Sequence, residues 1–424
     1  MIRLLSSRVV FAALALAVVT PSCSSSNGQT SRVNNDAAAS VQLEVFSWWV
    51  EPGEAEALAS LIELHQSMFP LETVYNAATD PLVTSGGVEA KEVLLTRLAQ
   101  GDPPDTFQTD AGELPTFAAG LLEPLDNFYA EQGLASALVP EAISDVTVAG
   151  HLLGVPVDIH RSNGLFYNKQ VFAQNNLQPP TTIDEFLTVC AALKQAGITP
   201  LALSSEPWIM DMVFTSFALA TLGRDDYVKF IINQTPVEPA RFGALADLLD
   251  LVMTNYVDAQ AMADPQFGWT NAADAVHAGT AGMFLHGDWA KGYWTQLGWT
   301  PNVDFGVVAS PGSDGVFMYN TDSFSVPAQA QHLAAGNDWL TTIASAEGQV
   351  KFNELKGSSP VRLDIPIARL DPMAQEIYAD LKQATLRVPA VGMLEIWETA
   401  VVQLAKDHDK AAFVRVLVDN PLHP

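Results

Sequence analysis

Val41, Leu43 and Val45 alternate with Gln42 and Glu44, the period of a strand buried on one face. The alternation stops at Ser47-Trp48-Trp49, where two indoles leave the strand. From Glu54 to Met68 the period changes, and Leu58, Leu61, Ile62, His65 and Met68 fall on one helical face. Leu71 to Tyr75 reads as a short strand. Gly86-Gly87 opens a helix from Val88 to Gln100, which Gly101 and Pro103 close. Asp105 to Gln108 reads as a buried strand and Gly112 to Ala119 as a helix. Thr182-Ile183-Asp184-Glu185 is a capping box, and the helix it starts runs to Ala196 and stops at Gly197. Pro200 to Leu203 follows as a strand. Alternation of this kind predicts parallel sheets with helices on both faces. No internal repeat or low-complexity stretch follows residue 40.

The N-terminus bears on location. Arg3 and Arg8 flank the start of an apolar run, Val9 to Val19, of about 11 residues, right for a signal peptide and too short to span a bilayer. Thr20-Pro21-Ser22-Cys23 comes next, then Ser24-Ser25-Ser26-Asn27-Gly28. A small residue, a Cys and a flexible polar stretch predict removal of residues 1–22, lipidation of Cys23 and a tether over 23–40. Thr20 stands where such sites usually carry Leu. The other reading is ordinary cleavage near Ser22, with Cys23 incidental. The expectation is an exported protein of the periplasm or cell envelope, touching the membrane through an N-terminal lipid only.

Composition narrows the partners. The chain has 424 residues and a net charge of −27, from 48 acids against 21 bases. That balance argues against nucleic acid and anionic lipid surfaces. Roughly 385 residues beyond the tether exceed one ordinary core and predict two lobes. Cys190 sits on an apolar helix face as a small core residue, and no intramolecular disulfide forms if Cys23 is acylated. A monomer is expected.

The chemistry-bearing residues favour binding. The eight histidines show no metal spacing, with neither HExxH nor Cys-x-x-Cys, so neither metal nor cofactor is expected. His151, His160 and His286 read as pocket or core groups. No Gly-x-Ser-x-Gly elbow and no P-loop occurs. Glu54, Asp158 and Asp288 fall near strand ends, and a carboxylate pair can hydrolyse a glycoside, but spacing in sequence does not set two acids across a bond. Glycoside hydrolysis therefore stays an alternative to pure binding. Indole faces outside the carboxyl end of a strand suit a flat, C–H-rich ligand such as a sugar ring; a packed core or lid is the other reading of Trp48 and Trp49.

A series of ordered motifs then carries a resemblance. Gly150-His151-Leu152-Leu153-Gly154-Val155-Pro156, Leu165-Phe166-Tyr167-Asn168-Lys169 and Pro180-Thr181-Thr182-Ile183-Asp184-Glu185-Phe186 lead to Leu193-Lys194-Gln195-Ala196-Gly197. Gly279-Thr280-Ala281-Gly282-Met283, Gly287-Asp288-Trp289, Phe352-Asn353-Glu354-Leu355-Lys356-Gly357-Ser358 and Pro360-Val361-Arg362 follow. The series resembles the extracellular solute-binding proteins of sugar ABC importers over nearly all of the chain after residue 41. Ser47-Trp48-Trp49, Gly101 to Gln108, His160-Arg161-Ser162-Asn163 and Gly315 to Phe324 are most similar to the glucose/mannose-binding branch.

The resemblance implies a two-lobed periplasmic-binding-protein-like fold (type II), with a ligand cleft between two discontinuous α/β lobes joined by a hinge. The expected lobes are 41–155 plus 305–355 and 156–304 plus 356–424. It implies Trp48 and Trp49 against sugar faces, and Glu54, Gln108, Asp288 and Asp322 as acceptors for hydroxyls. Lys356 would be a cationic donor, Trp269 and Trp289 aromatic walls, and His160 a further site residue. The implied partners are a small sugar and the permease subunits of an ABC importer, or alternatively a sensor or chemotaxis partner. Two positions depart from the branch. Asp110 stands where the branch has a base, and Leu386 to Met393 lacks its His. Asp110 either faces the sugar or caps the helix expected from Gly112.

Overall fold

A computed structural model describes residues 40–79, 87–117, 120–390, 392 and 394–420. The signal peptide, Cys23 and the tether expected over 23–40 lie outside the described residues but for Ser40. The strands are β1 (Val41–Phe46), β2 (Glu72–Asn76), β3 (Thr106–Asp110), β4 (Thr147–Val148), β5 (His151–Leu152), β6 (Val155–Pro156) and β7 (His160–Arg161). They continue as β8 (Gly164–Asn168), β9 (Thr199–Ala202), β10 (Ala281–His286), β11 (Phe305–Ala309), β12 (Val316–Asn320), β13 (Asp322–Ser325) and β14 (Leu386–Pro389).

Two sheets organise the molecule. The first has the order β2-β1-β3-β13-β6 and the second the order β11-β8-β10-β9. A small sheet, β14-β12-β7, stands beside them. β1 is parallel to β2 and β3, as the alternation predicts, but β13 enters the first sheet antiparallel to β3 and β6. In the second sheet β8 is antiparallel to both β10 and β11. The sheets are mixed rather than purely parallel, because strands returning from a distant part of the chain carry no crossover helix that would fix their direction.

The chain passes between the sheets at Val157–Ile159 and again at Thr321, between β12 and β13. A third segment runs alongside, where Ile159 and Ser359 exchange backbone hydrogen bonds of 2.9 and 3.1 Å. The expected return to the first lobe at residue 305 is corrected here. Phe305–Ala309 pairs with β8 in the second sheet, so the crossing comes at Thr321. Nothing local in Phe305-Gly306-Val307-Val308-Ala309 states which sheet receives it.

Local signals were accurate where they were local. The helix Glu54–Met68 forms as read, and Thr182 Oγ accepts from Glu185 N while Glu185 Oε2 accepts from Thr182 N. The helix expected over Gly112–Ala119 is instead a tight 3-10 turn, Ala111–Thr116, because Pro115 lacks the N–H and crowds the turn before it. Cys190 is fully buried in the second core, where burial pushes its thiol pKa up. One core packs Leu43, Val45, Phe46, Leu58, Leu61, Phe107, Phe324 and Trp339 around the first sheet. The other packs Phe186, Leu193, Leu201, Phe217, Met283 and Trp397 around the second.

His65 is fully buried between these elements, with Nδ1 2.8 Å from Thr342 Oγ1 and Nε2 2.8 Å from Glu72 Oε2. Burial lowers its pKa to about 4. The folded value lies below the unfolded one near 6.5, so the unfolded chain binds more protons between these values. Stability is therefore present above pH 6.5 and is lost as pH falls towards 4, by on the order of 3 kcal/mol for this group. Thermal unfolding scanned from pH 7 to 4.5 should show that decline. In His65→Gln the decline should be shallower; an identical slope in both proteins would remove His65 as its cause.

Candidate functional site

The site is built where the carboxyl end of β1 meets the end of β10. The indole N–H groups of Trp48 and Trp49 both point at Gln108. With the Gln108 carboxamide oxygen turned to them it accepts from Trp49 Nε1 at 2.8 Å and Trp48 Nε1 at 3.1 Å. Its nitrogen then donates to Ser47 Oγ at 2.6 Å. Gln108 is fully buried, so this arrangement satisfies the carboxamide and fixes both rings. Trp49 is only 2% exposed, with Phe352 at 4.7 Å and Phe324 edge-on at 5.7 Å between ring centroids. Trp49 is packed, and Trp48 is half-buried.

Lys356 joins the two sides. Its Nζ lies 2.6 Å from Glu54 Oε1, 5.6 Å from the Trp49 ring centroid and 5.5 Å from the Trp289 ring centroid. Burial works against its charge, but Glu54, Asp322 and Asp158 outweigh it and hold the ammonium protonated. A cation above two indole faces gains from the ring quadrupoles as well as from its carboxylate.

Below Lys356 lies a buried floor. His160 Nδ1 is 2.5 Å from Asp288 Oδ1, and His160 Nε2 is 3.0 Å from Asp158 Oδ2 and 3.3 Å from Asp322 Oδ2. Burial alone would lower the imidazole pKa, but Asp158 and Asp288 raise it well above its usual value. His160 is an imidazolium among three carboxylates. Asp288 Oδ2 also accepts from Arg161 N at 2.9 Å, and Asp158 Oδ1 from Asp322 N at 3.0 Å. Asp158, His160 and Asp322 bring three donor atoms within 4.8 Å of one another, a grouping that sequence spacing did not suggest. Lys356 also faces Asp158 and Asp322. With Glu54 beside Lys356, four carboxylates face two cations, so this floor stays acidic in net charge.

The far wall is aromatic. Trp289 meets His160 edge-on at 5.0 Å, and Trp208 lies 5.8 Å from Trp289. Trp269 stacks on His286 at 5.2 Å, and its backbone N–H donates to Glu206 at 2.6 Å. His286 is buried, and burial lowers its pKa to about 3, so it stays neutral. Glu51 sits at the mouth, its pKa raised by burial and by Glu54 and Glu206.

All eleven residues expected from the resemblance occur in or beside this region. Of the two readings of Asp110, the structure contradicts the helix cap. Its side chain makes no cap to the following turn, and its Oδ2 is 2.6 Å from Lys91 Nζ. Sequence reading missed Lys91, Trp208, Glu51 and Glu206. Lys91, Trp208 and Glu206 arrive from other elements, and Glu51 lies in the loop just after Trp49 with no pattern to mark it. The expected lipid site at Cys23 lies outside the described residues.

Two sheet-centred bodies, crossed by the chain more than once and facing each other over indoles and buried acids, define a type II periplasmic binding fold. The chain belongs to the bacterial extracellular solute-binding protein family, whose sequence profile matches residues 81–350. An uncharacterized ABC transporter extracellular-binding protein of Pyrococcus horikoshii is 33% identical over 92% of this chain and 87% of its own length. A probable sugar-binding periplasmic protein of Rhizobium meliloti is 31% identical over 82% of this chain and 83% of its own. Among solved structures, a bacterial solute receptor with an exclusive preference for β-D-galactopyranose superposes with a TM-score of 0.74 at 20% identity, covering 90% of this chain and 98% of that one.

Proposed function

We propose that this protein is the extracytoplasmic substrate-binding component of an ABC importer, taking a neutral monosaccharide such as glucose, mannose or a related sugar and delivering it to a membrane permease. The observation that carries the reading is Lys356, bonded to Glu54 and poised over one indole from each side of the cleft. A sugar hydroxyl both donates and accepts, and planar charged groups satisfy it best where water is excluded. Indole faces take the C–H face of the ring, at about 0.5–1.5 kcal/mol per contact beyond area burial. Hydrogen bonds to charged groups add roughly 1.5–3 kcal/mol each. A handful of both suffices for a Kd near 1 μM, which needs about 8 kcal/mol. The imidazolium and ammonium are each spent on carboxylates, which suits binding rather than turnover.

A thermal-shift screen of mono- and disaccharides, with a parallel assay for new reducing ends, tests this reading. Neutral hexoses should raise the melting temperature and no reducing ends should appear. Release of reducing ends from an oligosaccharide would replace binding by hydrolysis.

Attachment is part of the proposal. Cys23 should carry lipid, and the mature chain should partition into detergent with membranes. Cys23→Ser should yield a soluble exported form. A mature N-terminus found by mass spectrometry anywhere but Cys23 would sink the anchor.

A further inference from the structure

Lys91 belongs to no motif, yet three features of the cleft rim converge on it. It lies on the helix Gly87–Gln100, with Nζ 2.6 Å from Asp110 Oδ2, 2.8 Å from Glu113 Oε1 and 5.0 Å from the Trp48 ring centroid. Asp110 stands directly opposite Asp322 in the β3–β13 ladder, so the two carboxylates share one face of the sheet. Like charges at directly opposed positions repel. The Lys91 side chain is 28% exposed and that of Asp110 35%, so the pair edges the cleft rather than filling the core.

Taking the cleft as a sugar site, we propose that Lys91 is a positioning residue for specificity: it holds the Asp110 carboxylate beside Asp322 and covers one face of Trp48, and so fixes what this end of the cleft presents to sugar hydroxyls. Asp110 is faced by Lys91 from its helix and by Asp322 from β13, and Glu113, from the turn that follows β3, feels the Asp110 charge and shares Lys91 with it. Lys356 in turn faces Asp322. Burial raises the pKa of Asp110 and Asp322 raises it further, while Lys91 opposes both. Without the ammonium, Asp110 takes up a proton as pH falls. An obligate acceptor for hydroxyl donors then becomes a mixed group. Trp48 is tied to Gln108 through its N–H, so the uncovered ring stays in place while its exposed face changes.

The test is calorimetric titration of the best-binding sugar from pH 5 to 8, on the wild type, Lys91→Met and Lys91→Arg. The wild-type Kd should change little over this range. Lys91→Met should weaken binding by about ten-fold at neutral pH, the size of one hydrogen bond to a charged group, and weaken it further as pH falls. Lys91→Arg should restore both affinity and flatness, and Asp110→Asn in the Lys91→Met background should remove the slope. A uniform loss at every pH that Lys91→Arg leaves unrepaired would mean a merely structural role and overturn the inference. A normal wild-type titration with an unweakened, flat Lys91→Met profile would overturn it alone. Absence of any sugar titration in the wild type would overturn the sugar reading and this inference with it.

Discussion

Lys356→Met is expected to cost the closed protein about 3–5 kcal/mol and to abolish measurable sugar binding at micromolar concentrations. The ammonium is 3% exposed and sits between Glu54, Asp322 and Asp158. Removing it leaves these buried carboxylates with His160 as the nearby cation. The likeness of their charge then favours separation of the two sides of the cleft over closure. The double variant Lys356→Met, Glu54→Gln should recover part of the stability, because one uncompensated charge goes with its partner, but none of the binding. Chemical denaturation and calorimetry read the two effects separately. Wild-type affinity in Lys356→Met would remove Lys356 from the site.

The second large effect is steric. Gly292 lies in the helix Trp289–Gln296 against the end of the helix Ala346–Lys356. A Cβ at Gly292 would stand 2.4 Å from Leu355 O and 2.6 Å from Lys356 O, and neither backbone atom can step aside as a side chain would. Gly53 meets the same backbone from the start of the first helix, where its own Cβ would lie 2.6 Å from the Gly292 carbonyl carbon. Main chain packs against main chain where the helices Glu54–Met68, Trp289–Gln296 and Ala346–Lys356 meet. Gly292→Ala should improve the local helix yet prop this contact apart by about 1–3 kcal/mol, weakening sugar binding some ten- to a hundred-fold. Gly243→Ala is the control. It lies at a helix start with open space around it, and should be neutral or slightly stabilising. Equal affinities for the two variants would show that the contact does not gate closure.

Much of this architecture is written locally. The helix Glu54–Met68, the Thr182–Glu185 cap and the strand Val41–Phe46 follow from period and capping within a few residues of chain. What escaped is set by contacts between distant segments. β13 reaches β3 across more than two hundred residues, and nothing in Asp322-Ser323-Phe324-Ser325 states its direction or its neighbour. The same distance hid the crossing at Thr321. In the site, ordered motifs pointed to the polar floor and the indoles, but not to how they satisfy one another. That Gln108 takes up both indole N–H groups, and that Lys91 answers Asp110, are facts of pairing between elements. Asp110, read alone, looked like the loss of a cation. In the fold a cation stands beside it, supplied by a helix nineteen positions upstream.

The most direct measurement is isothermal titration of the purified protein with glucose, mannose and galactose, at two or more temperatures. The account predicts one site per chain, a Kd near or below about 1 μM for at least one of them, and a negative heat-capacity change from burial of the indole faces. Silence towards every neutral sugar, with saturable binding of an acidic or non-carbohydrate solute instead, would contradict it.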